Sequence, residues 1–159
     1  MKSQTTLPKR SFDSTEQEVY LNLWRTYDRL RALEDELFAR FDLTAQQYNA
    51  LRLLKTRSPG TMQTLQLASR LISRAPDITR LLDRLEARNL VHRERLANNR
   101  RIVQVGITQA GLTLLQQLSR AVKDCARRQV GHLTSKQQQD LIALLREARA
   151  PHEDAESGW

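Results

Sequence analysis

The stretch of residues 73–101 restricts the fold more than any other part of the sequence. In its first half, apolar residues recur at the spacing of one helix face: Ile78, Leu81, Leu82 and Leu85. Ser73 is a favourable N-cap, so we expect the helix to begin there, and Asn89 tolerates the left-handed conformation that ends many helices. Leu90 and Val91 then begin an extended segment. The stretch therefore predicts a helix that runs directly into a tight hairpin.

Two segments of strand-like composition, residues 91–96 and 102–107, predict the hairpin. In the second segment, apolar residues alternate with polar or small ones, as a half-buried strand requires: Val103, Val105 and Ile107. The residues that join the segments include Asn98 and Asn99, and asparagine tolerates the positive φ of tight hairpins. A helix followed by such a hairpin is the outline of a winged helix-turn-helix.

Positive charge is concentrated in the same region. The whole chain has a formal net charge of +8 and a pI near 10.4. Residues 70–101 contain nine arginines, no lysine and four acidic residues, which gives this segment alone a charge near +5. The guanidinium fork binds phosphates and guanine edges through two hydrogen bonds, which the lysine ammonium does not do. This distribution favours a polyanionic partner, with nucleic acid ahead of an anionic membrane.

The side chains predicted to contact double-stranded DNA lie on the helix and at the hairpin tip. Side chains in the first two turns of such a helix can reach base edges or phosphates, and arginines at a hairpin tip can enter a narrow minor groove. The helix candidates are Ser73, Arg74, Thr79, Arg80 and Arg84, and the hairpin candidates are Arg100 and Arg101. Among the helix candidates, Arg84 is expected to contact a phosphate or to form an ion pair and not to read a base. The alternative for each of them is an exposed polar side chain with no role in binding.

Two further helices are predicted before this stretch. Thr44 and Gln47 have the T-x-x-Q spacing of a capping box, and the helix they open is broken by the Ser-Pro-Gly sequence at residues 58–60. Residues 63–70 form a second, short helix, joined to the arginine-rich helix by a tight connection. Together the two helices on either side of that connection make a helix-turn-helix.

Long amphipathic helices are predicted at both ends of the chain, with apolar stripes from Tyr20 to Phe41 and from Leu112 to Val130. Thr108 is expected to cap the helix of the second stripe, and Thr134 with Gln137 forms a second T-x-x-Q box that opens the last helix. The small central module cannot cover both stripes, so we expect an obligate homodimer. Trp24 and Tyr27, on the first stripe, are candidates either for an effector pocket or for core packing. The predicted fold class is mostly α with a small β-hairpin wing.

The sequence also indicates several functions and sites that we do not expect in this protein. The sequence has no phosphate-cradling glycine loop, no nucleophile elbow and no zincin helix, so we expect no catalytic residues and no cofactor. Its histidines, His92, His132 and His152, have no second ligand at metal spacing. The single cysteine, Cys125, is expected to be a packed thiol. With no apolar signal region and no membrane-spanning run, a cytoplasmic protein without a membrane partner is predicted.

From about residue 18 to residue 148 the chain resembles the MarR family of bacterial transcription regulators (multiple-antibiotic-resistance regulators). The motifs that carry the resemblance, in chain order, are Leu43-Thr44-x-x-Gln47, Leu67-Ala68, the ten residues 77–86, Asn89-Leu90-Val91-x-Arg93, and Asn99-Arg100-Arg101-x-x-x-Val105-x-Ile107-Thr108-x-x-Gly111. Two positions depart from the family pattern. Asn99 stands where the family wing has an aspartate that braces the arginine, and Asn89 stands where the family has glycine.

The resemblance implies a homodimer with intertwined terminal helices, and recognition helices in adjacent major grooves of a near-palindromic operator. Residues 14–42 and 109–149 would form the dimerisation region and residues 43–108 the winged helix-turn-helix, with a flexible arm at residues 1–13 and a flexible tail at 150–159. The resemblance also implies a repressor that a small aromatic or phenolic effector releases from DNA. Two alternatives stay open: a regulator with no small-molecule effector, and a winged-helix module that binds proteins and not DNA.

Overall fold

Residues 11–73 and 77–153 are described by a computed structural model of the chain. The elements within these residues are α1 (Thr15–Ala39), α2 (Ala45–Lys55), β1 (Met62–Gln63), α3 (Thr64–Arg70), α4 (Ile78–Ala87), β2 (Val91–Leu96), β3 (Asn99–Ile107), α5 (Gln109–Val130), α6 (Ser135–Arg149) and a short 3-10 helix (Ala150–His152). The predicted fold class, mostly α with a small hairpin, is confirmed.

Helix starts follow the predicted caps in three cases. The capping boxes of Thr44 with Gln47 and of Thr134 with Gln137 are both complete, with each glutamine side chain bonded back to the N-cap backbone. Thr108 caps α5, and its hydroxyl oxygen accepts from the N–H of Gly111 at 3.1 Å.

The expected start of the arginine-rich helix at Ser73 is wrong. This helix, α4, begins at Ile78, and the carboxylate of Asp77 is its cap, accepting from the N–H of Arg80 at 2.9 Å. A carboxylate next to the first apolar residue also interacts favourably with the positive end of the helix, which a serine several residues earlier cannot do. The predicted end is confirmed, because Asn89 has a φ of 55° and the N–H of Leu90 bonds to Leu85 at 3.0 Å.

The sheet has three antiparallel strands in the order β1-β3-β2. The predicted hairpin of β2 and β3 is confirmed, with Val91 opposite Ile107, although β3 begins three residues earlier than the expected position 102. The strand β1 was not predicted. It has two residues, and Met62 pairs with Val105 on β3. This pairing ties the start of α3 to the base of the hairpin.

One hydrophobic core joins the helix-turn-helix, the sheet and the middle of α5. Its largest fully buried side chains are Leu37, Leu51, Leu54, Met62, Leu67, Leu82, Leu85, Leu118, Val91 and Val105. These side chains come from all the central elements, so α4 is fixed on a packed body and its polar face is free to point outward.

The two ends of the chain are covered much less. The first half of α1 has exposed large apolar side chains, and α6 has no buried residue. The exposed set consists of Val19, Tyr20, Leu21, Leu23, Trp24 and Tyr27 on α1 and of Leu141, Ile142, Leu144 and Leu145 on α6. Among the described residues, no helix combines the length and the apolar character needed to cross a membrane.

Candidate nucleic-acid interface

The helix α4 has one buried face and one exposed face. Leu81, Leu82 and Leu85 are buried in the core. Thr79, Arg80 and Arg84 are exposed on the other side. Because three leucines anchor the helix, its exposed side chains project from a rigid support, as a groove-reading helix requires.

The two α4 arginines differ in their partners. The Nε of Arg80 lies 3.5 Å from the carboxylate of Asp77, but both side chains are largely exposed. An exposed ion pair of this kind contributes about 0–1 kcal/mol, so a phosphate can compete for the guanidinium. Arg84 has no ion pair within residues 11–73 and 77–153. Both guanidinium groups are therefore available to an anionic partner.

The acids of α4 are paired with Arg93 on β2. The Nη2 of Arg93 lies 2.7 Å from Asp83 and 2.5 Å from Glu86, and its Nε lies 2.9 Å from Glu86. The hydrogen bonds from Arg93 hold the pKa of Glu86 below its usual value, and the bond to Glu86 raises the pKa of Arg93. This network neutralises two carboxylates that would otherwise repel DNA, and it links α4 to the hairpin.

The hairpin tip is held without a carboxylate. The Oδ1 of Asn99 accepts from the N–H of Arg101 at 3.1 Å, and the Nη1 of Arg95 donates to the carbonyl of Arg100 at 2.9 Å. The side chains of Arg100 and Arg101 are exposed. Asn99 thus supplies the turn-closing acceptor that an aspartate would supply, while leaving the wing with one negative charge fewer.

A groove of about 830 Å³ lies between α1, α2 and the part of α4 up to Arg84. Its lining includes aromatic and cationic side chains from all three helices: Tyr27, Arg31, Phe38, Tyr48, Arg52, Arg80 and Arg84. Tyr27, one of the two candidates for an effector pocket, is among them. Trp24 is not, and its ring lies 6.2 Å from that of Tyr20 instead. Both candidates are more than half exposed, so neither is packed in the core of this protomer.

The predicted DNA-contacting residues fall into two groups. Thr79, Arg80 and Arg84 share the exposed face of α4, and Arg100 and Arg101 lie at the separate hairpin tip. The candidate Ser73 is exposed near the end of α3, and the candidate Arg74 lies outside the described residues.

The sequence reasoning missed three arginines that organise this surface: Arg88, Arg93 and Arg95. A signal was visible in the sequence. Arg93 and Arg95 are two residues apart on one strand, so both lie on the face of the hairpin that carries Val91.

Cys125 is a buried side chain on α5, as predicted. Burial, followed by the negative charge of Glu34, raises the pKa of its thiol. The residues described by the structure contain no group of three or more His, Cys, Asp or Glu side chains placed to hold a metal ion.

Known proteins match both the sequence and the fold. A sequence model of the MarR family matches residues 43–103. The homoprotocatechuate degradative operon repressor of Escherichia coli is 31% identical over 108 residues, which cover 68% of this chain and 72% of that protein. The crystal structure of a MarR transcription factor from Planctomyces limnophilus is 54% identical, with a TM-score of 0.69, and the match covers 86% of this chain and 98% of that one.

Two more distant structures share the fold. A mutant MarR from Escherichia coli, complexed with operator DNA, is 22% identical with a TM-score of 0.76, and the match covers 87% of this chain and 99% of that one. BpsR of Bordetella bronchiseptica, whose DNA binding is regulated by 6-hydroxynicotinic acid, is 22% identical with a TM-score of 0.75 over 82% of this chain and 98% of its own. At this identity the likeness concerns the fold.

Proposed function

The chain belongs to the MarR family of DNA-binding transcription regulators, and from that premise we propose that it is a homodimeric repressor of a near-palindromic operator, released by a small-molecule effector. The observation that carries this proposal is the exposed face of α4, where Arg80 and Arg84 are available while the neighbouring acids are paired with Arg93. A surface with available guanidinium groups and neutralised carboxylates favours the binding of phosphates and base edges.

Recognition of DNA is divided between α4 and the wing. Thr79, Arg80 and Arg84 on α4 enter the major groove, where one bidentate arginine contact is worth roughly 1–3 kcal/mol of discrimination between bases. Arg100 and Arg101 at the hairpin tip enter the flanking minor groove, where they respond to charge and groove width and not to base identity. Ser73 and Arg74, between α3 and α4, are proposed as further contacts.

The second copy covers the apolar rows on α1 and α6. Tyr20, Trp24 and Leu144 are each more than 60% exposed in the single protomer. Exposed apolar rows on two long terminal helices are far more extended than the scattered apolar residues of an ordinary monomer surface. A symmetric dimer buries both rows and places two copies of α4 on one face, as a palindrome requires.

The groove between α1 and α4 is the proposed effector site. Phe38 and Tyr48 stack with ring centroids 4.7 Å apart, and both line the groove together with Arg31 and Arg52. Aromatic walls and cationic side chains suit a small aromatic acid. Because Arg80 and Arg84 also line the groove, a bound carboxylate would attract the same guanidinium groups that bind DNA. The name of the Escherichia coli repressor and the acid that regulates BpsR support this class of effector.

The DNA-binding proposal is tested by selecting binding sites from random double-stranded DNA and titrating the selected site and a scrambled one with salt. We expect a two-fold symmetric site. Replacing Arg80 by alanine should reduce the ratio of specific to scrambled affinity. Replacing Arg101 by alanine should weaken both affinities and flatten the log K against log salt slope by about 0.9 per lost phosphate contact.

The matched control is Asn99→Asp, which keeps the acceptor for Arg101 and should leave a folded wing that still binds. If Arg101→Ala binds both DNAs with wild-type affinity and slope, the wing does not contact DNA.

The effector proposal is tested with aromatic acids and the corresponding uncharged amides. Acids should reduce affinity for the selected site about tenfold or more, whereas amides of the same shape should have little effect, because only the acids attract the groove arginines. An unchanged affinity with every acid would contradict the groove as a site for aromatic acids.

A further inference from the structure

The C-terminal ends of α1 and α4 meet each other. After α1, Asp42 has a φ of 52°, and the N–H of Leu43 bonds back to Phe38 at 3.0 Å. After α4, Asn89 adopts the same left-handed conformation, with a φ of 55°. Each end therefore turns sharply and presents carbonyl groups with the partial negative charge of a helix C-terminus. Two such ends repel each other unless a cation lies between them.

Arg88, in the C-cap position of α4, provides that cation. Its Nη2 donates to the carbonyl of Phe41 at 3.2 Å, and its Nη1 donates to the carbonyl of Asp42. The carboxylate of Asp42 is a minor partner, because it lies 4.0 Å away and its side chain is 93% exposed. The Arg88 side chain itself is 32% exposed. The main acceptors are backbone carbonyls, so the bond ties the C-cap residue of α4 to the turn that follows α1.

This joint lies at one end of the proposed effector groove. The groove is lined by α1 from Tyr27 to Phe38 and by α4 up to Arg84, and Arg88 lies one turn beyond Arg84 along the same helix. The part of α4 that carries the DNA-contacting candidates is thus separated from α1 by the groove, whereas the C-cap residue of α4 is bonded to the turn after α1.

We propose that Arg88 is a positioning residue that sets the angle between the recognition helix α4 and the helix α1, and through α1 the separation of the two recognition helices in the dimer. This inference rests on the proposed function. Arg88 acts through the carbonyls of Phe41 and Asp42 and does not itself contact DNA. Without this bond the buried leucine face would still anchor α4, but small tilts of the helix about that face would cost less, so the dimer would accept half-sites at more than one separation.

The test measures affinity for a series of operators in which the spacing between the selected half-sites is changed by one or two base pairs. Each added base pair moves one half-site by about 3.4 Å and rotates it by about 35°. We expect the wild-type protein to prefer the natural spacing by at least about tenfold over a one-base-pair change. Arg88→Gln and Arg88→Lys should both reduce this preference to about threefold or less, since neither side chain spans two carbonyls as a fork does.

The two Arg88 variants separate positioning from a direct phosphate contact. A phosphate contact would largely survive in Arg88→Lys, which keeps the charge, and spacing preference would then stay at the wild-type level. Arg95→Lys is the matched control, because Arg95 also donates to a backbone carbonyl, but within the wing. It should retain the spacing preference even where its overall affinity falls. Asp42→Asn keeps a residue tolerant of positive φ and should also retain the preference.

The outcomes distinguish this inference from the function on which it rests. If the wild-type protein selects no DNA site, both are overturned. If it discriminates spacing and folded Arg88→Lys does so equally well, the positioning role alone is overturned. Equal binding of the wild-type protein at all spacings would also overturn it, because the recognition helices would then have no fixed separation. Thermal unfolding of each variant, measured alongside, establishes that the compared proteins are folded.

Discussion

Arginines that look alike in the sequence have two different tasks in the structure. Arg88, Arg93 and Arg95 are bonded to backbone carbonyls or carboxylates within the protomer and hold elements together. Arg84 and Arg101 have exposed side chains with no ion pair among the described residues. The count of nine arginines in residues 70–101 predicts a positive surface correctly. It cannot distinguish the arginines that bond within the protomer from those that are available to DNA. That division depends on partners that only the folded chain brings close.

The ion pair of Arg93 with Glu86 should make stability depend on pH. The pKa of Glu86 is below its usual value, so the pair contributes its full stabilisation above the unfolded-state pKa of about 4.3 and loses it as the pH falls through the lower folded value. Glu86→Gln should therefore destabilise the protein at pH 7 by about 1 kcal/mol or less, because the site is partly exposed. Chemical denaturation between pH 7 and pH 3 should show this difference shrink steadily as the pH falls below about 4.3.

Glu94→Gln is the control for that experiment. Glu94 is an exposed neighbour on β2 with no ion pair among the described residues. Its substitution should change stability little at any pH. A difference between wild type and Glu86→Gln that persists unchanged to pH 3 would show that the carboxylate of Glu86 is not the stabilising group.

The thiol of Cys125 should react slowly. Burial raises its pKa, so less thiolate is present at pH 8 than in a free cysteine, and the side chain is also inaccessible. Iodoacetamide should therefore modify the native protein at least about tenfold more slowly than the urea-unfolded protein. Equal rates in the two states would contradict the packed environment of this side chain.

At the scale of elements, capping residues predicted where helices begin better than helix composition did. Thr44, Thr108 and Thr134 were identified correctly because a cap and its partner lie only three residues apart. The predicted cap Ser73 was wrong because two residues between α3 and α4, Ser73 and Asp77, could serve as a cap, and Asp77 lies directly before the first apolar residue of the helix. The strand β1 was missed because its two residues become a strand only by pairing with β3, more than 40 residues later.

The candidate site shows the same limit. The exposed faces of α4 and the wing could be predicted from local periodicity, which placed Arg80 and Arg101 correctly on the surface. Arg88 and Phe41, which are in contact, lie 47 residues apart in the sequence, and no local sequence pattern predicts this contact. The groove between α1 and α4 likewise depends on how two distant helices pack, so the sequence indicated Tyr27 as a candidate without indicating the lining that surrounds it.

The junction between β3 and α5 should not tolerate a larger residue at Gly111. A Cβ there would lie 2.4 Å from the carbonyl oxygen of Leu90 and 2.7 Å from Ile107. Gly111→Ala gains at most about 1 kcal/mol of helix propensity. The enforced shift of backbone costs roughly 1–3 kcal/mol, so the net effect is destabilising. Denaturant unfolding should show a lower midpoint with an unchanged slope.

Gly106→Ala is the matched substitution on β3. Its Cβ would meet the ring of His92 at 2.3 Å, but this ring is the far end of an exposed side chain and can rotate away. The expected loss is about 0.5 kcal/mol or less. If Gly106→Ala proved as destabilising as Gly111→Ala, the distinction between a backbone and a side-chain obstacle would be wrong.

At the scale of the whole molecule, the exposed row on α6 should govern assembly. Leu144 is 63% exposed in the protomer. In a symmetric dimer a charge at this position enters the interface twice, and each buried leucine lost costs about 1.5–3 kcal/mol. Leu144→Glu should therefore shift the protein toward monomer at micromolar concentration and weaken operator binding. Sedimentation velocity measures the shift directly.

Leu65→Glu is the control for assembly, because Leu65 is 80% exposed on α3, away from both terminal helices. It should sediment like the wild-type protein. A folded wild-type monomer of about 18 kDa at micromolar concentration would overturn the dimer itself.

The absence of lysine from residues 56–122 has a chemical consequence for the surface built from α4 and the wing. Acetylation and other acylations act on amines, and the nearest lysines, Lys55 and Lys123, lie at the ends of this segment. The positive charge between them is carried by guanidinium groups, which stay protonated and do not accept acyl groups under the same conditions. Amine-directed reagents should thus leave this surface charged, and reagents selective for guanidinium groups should neutralise it.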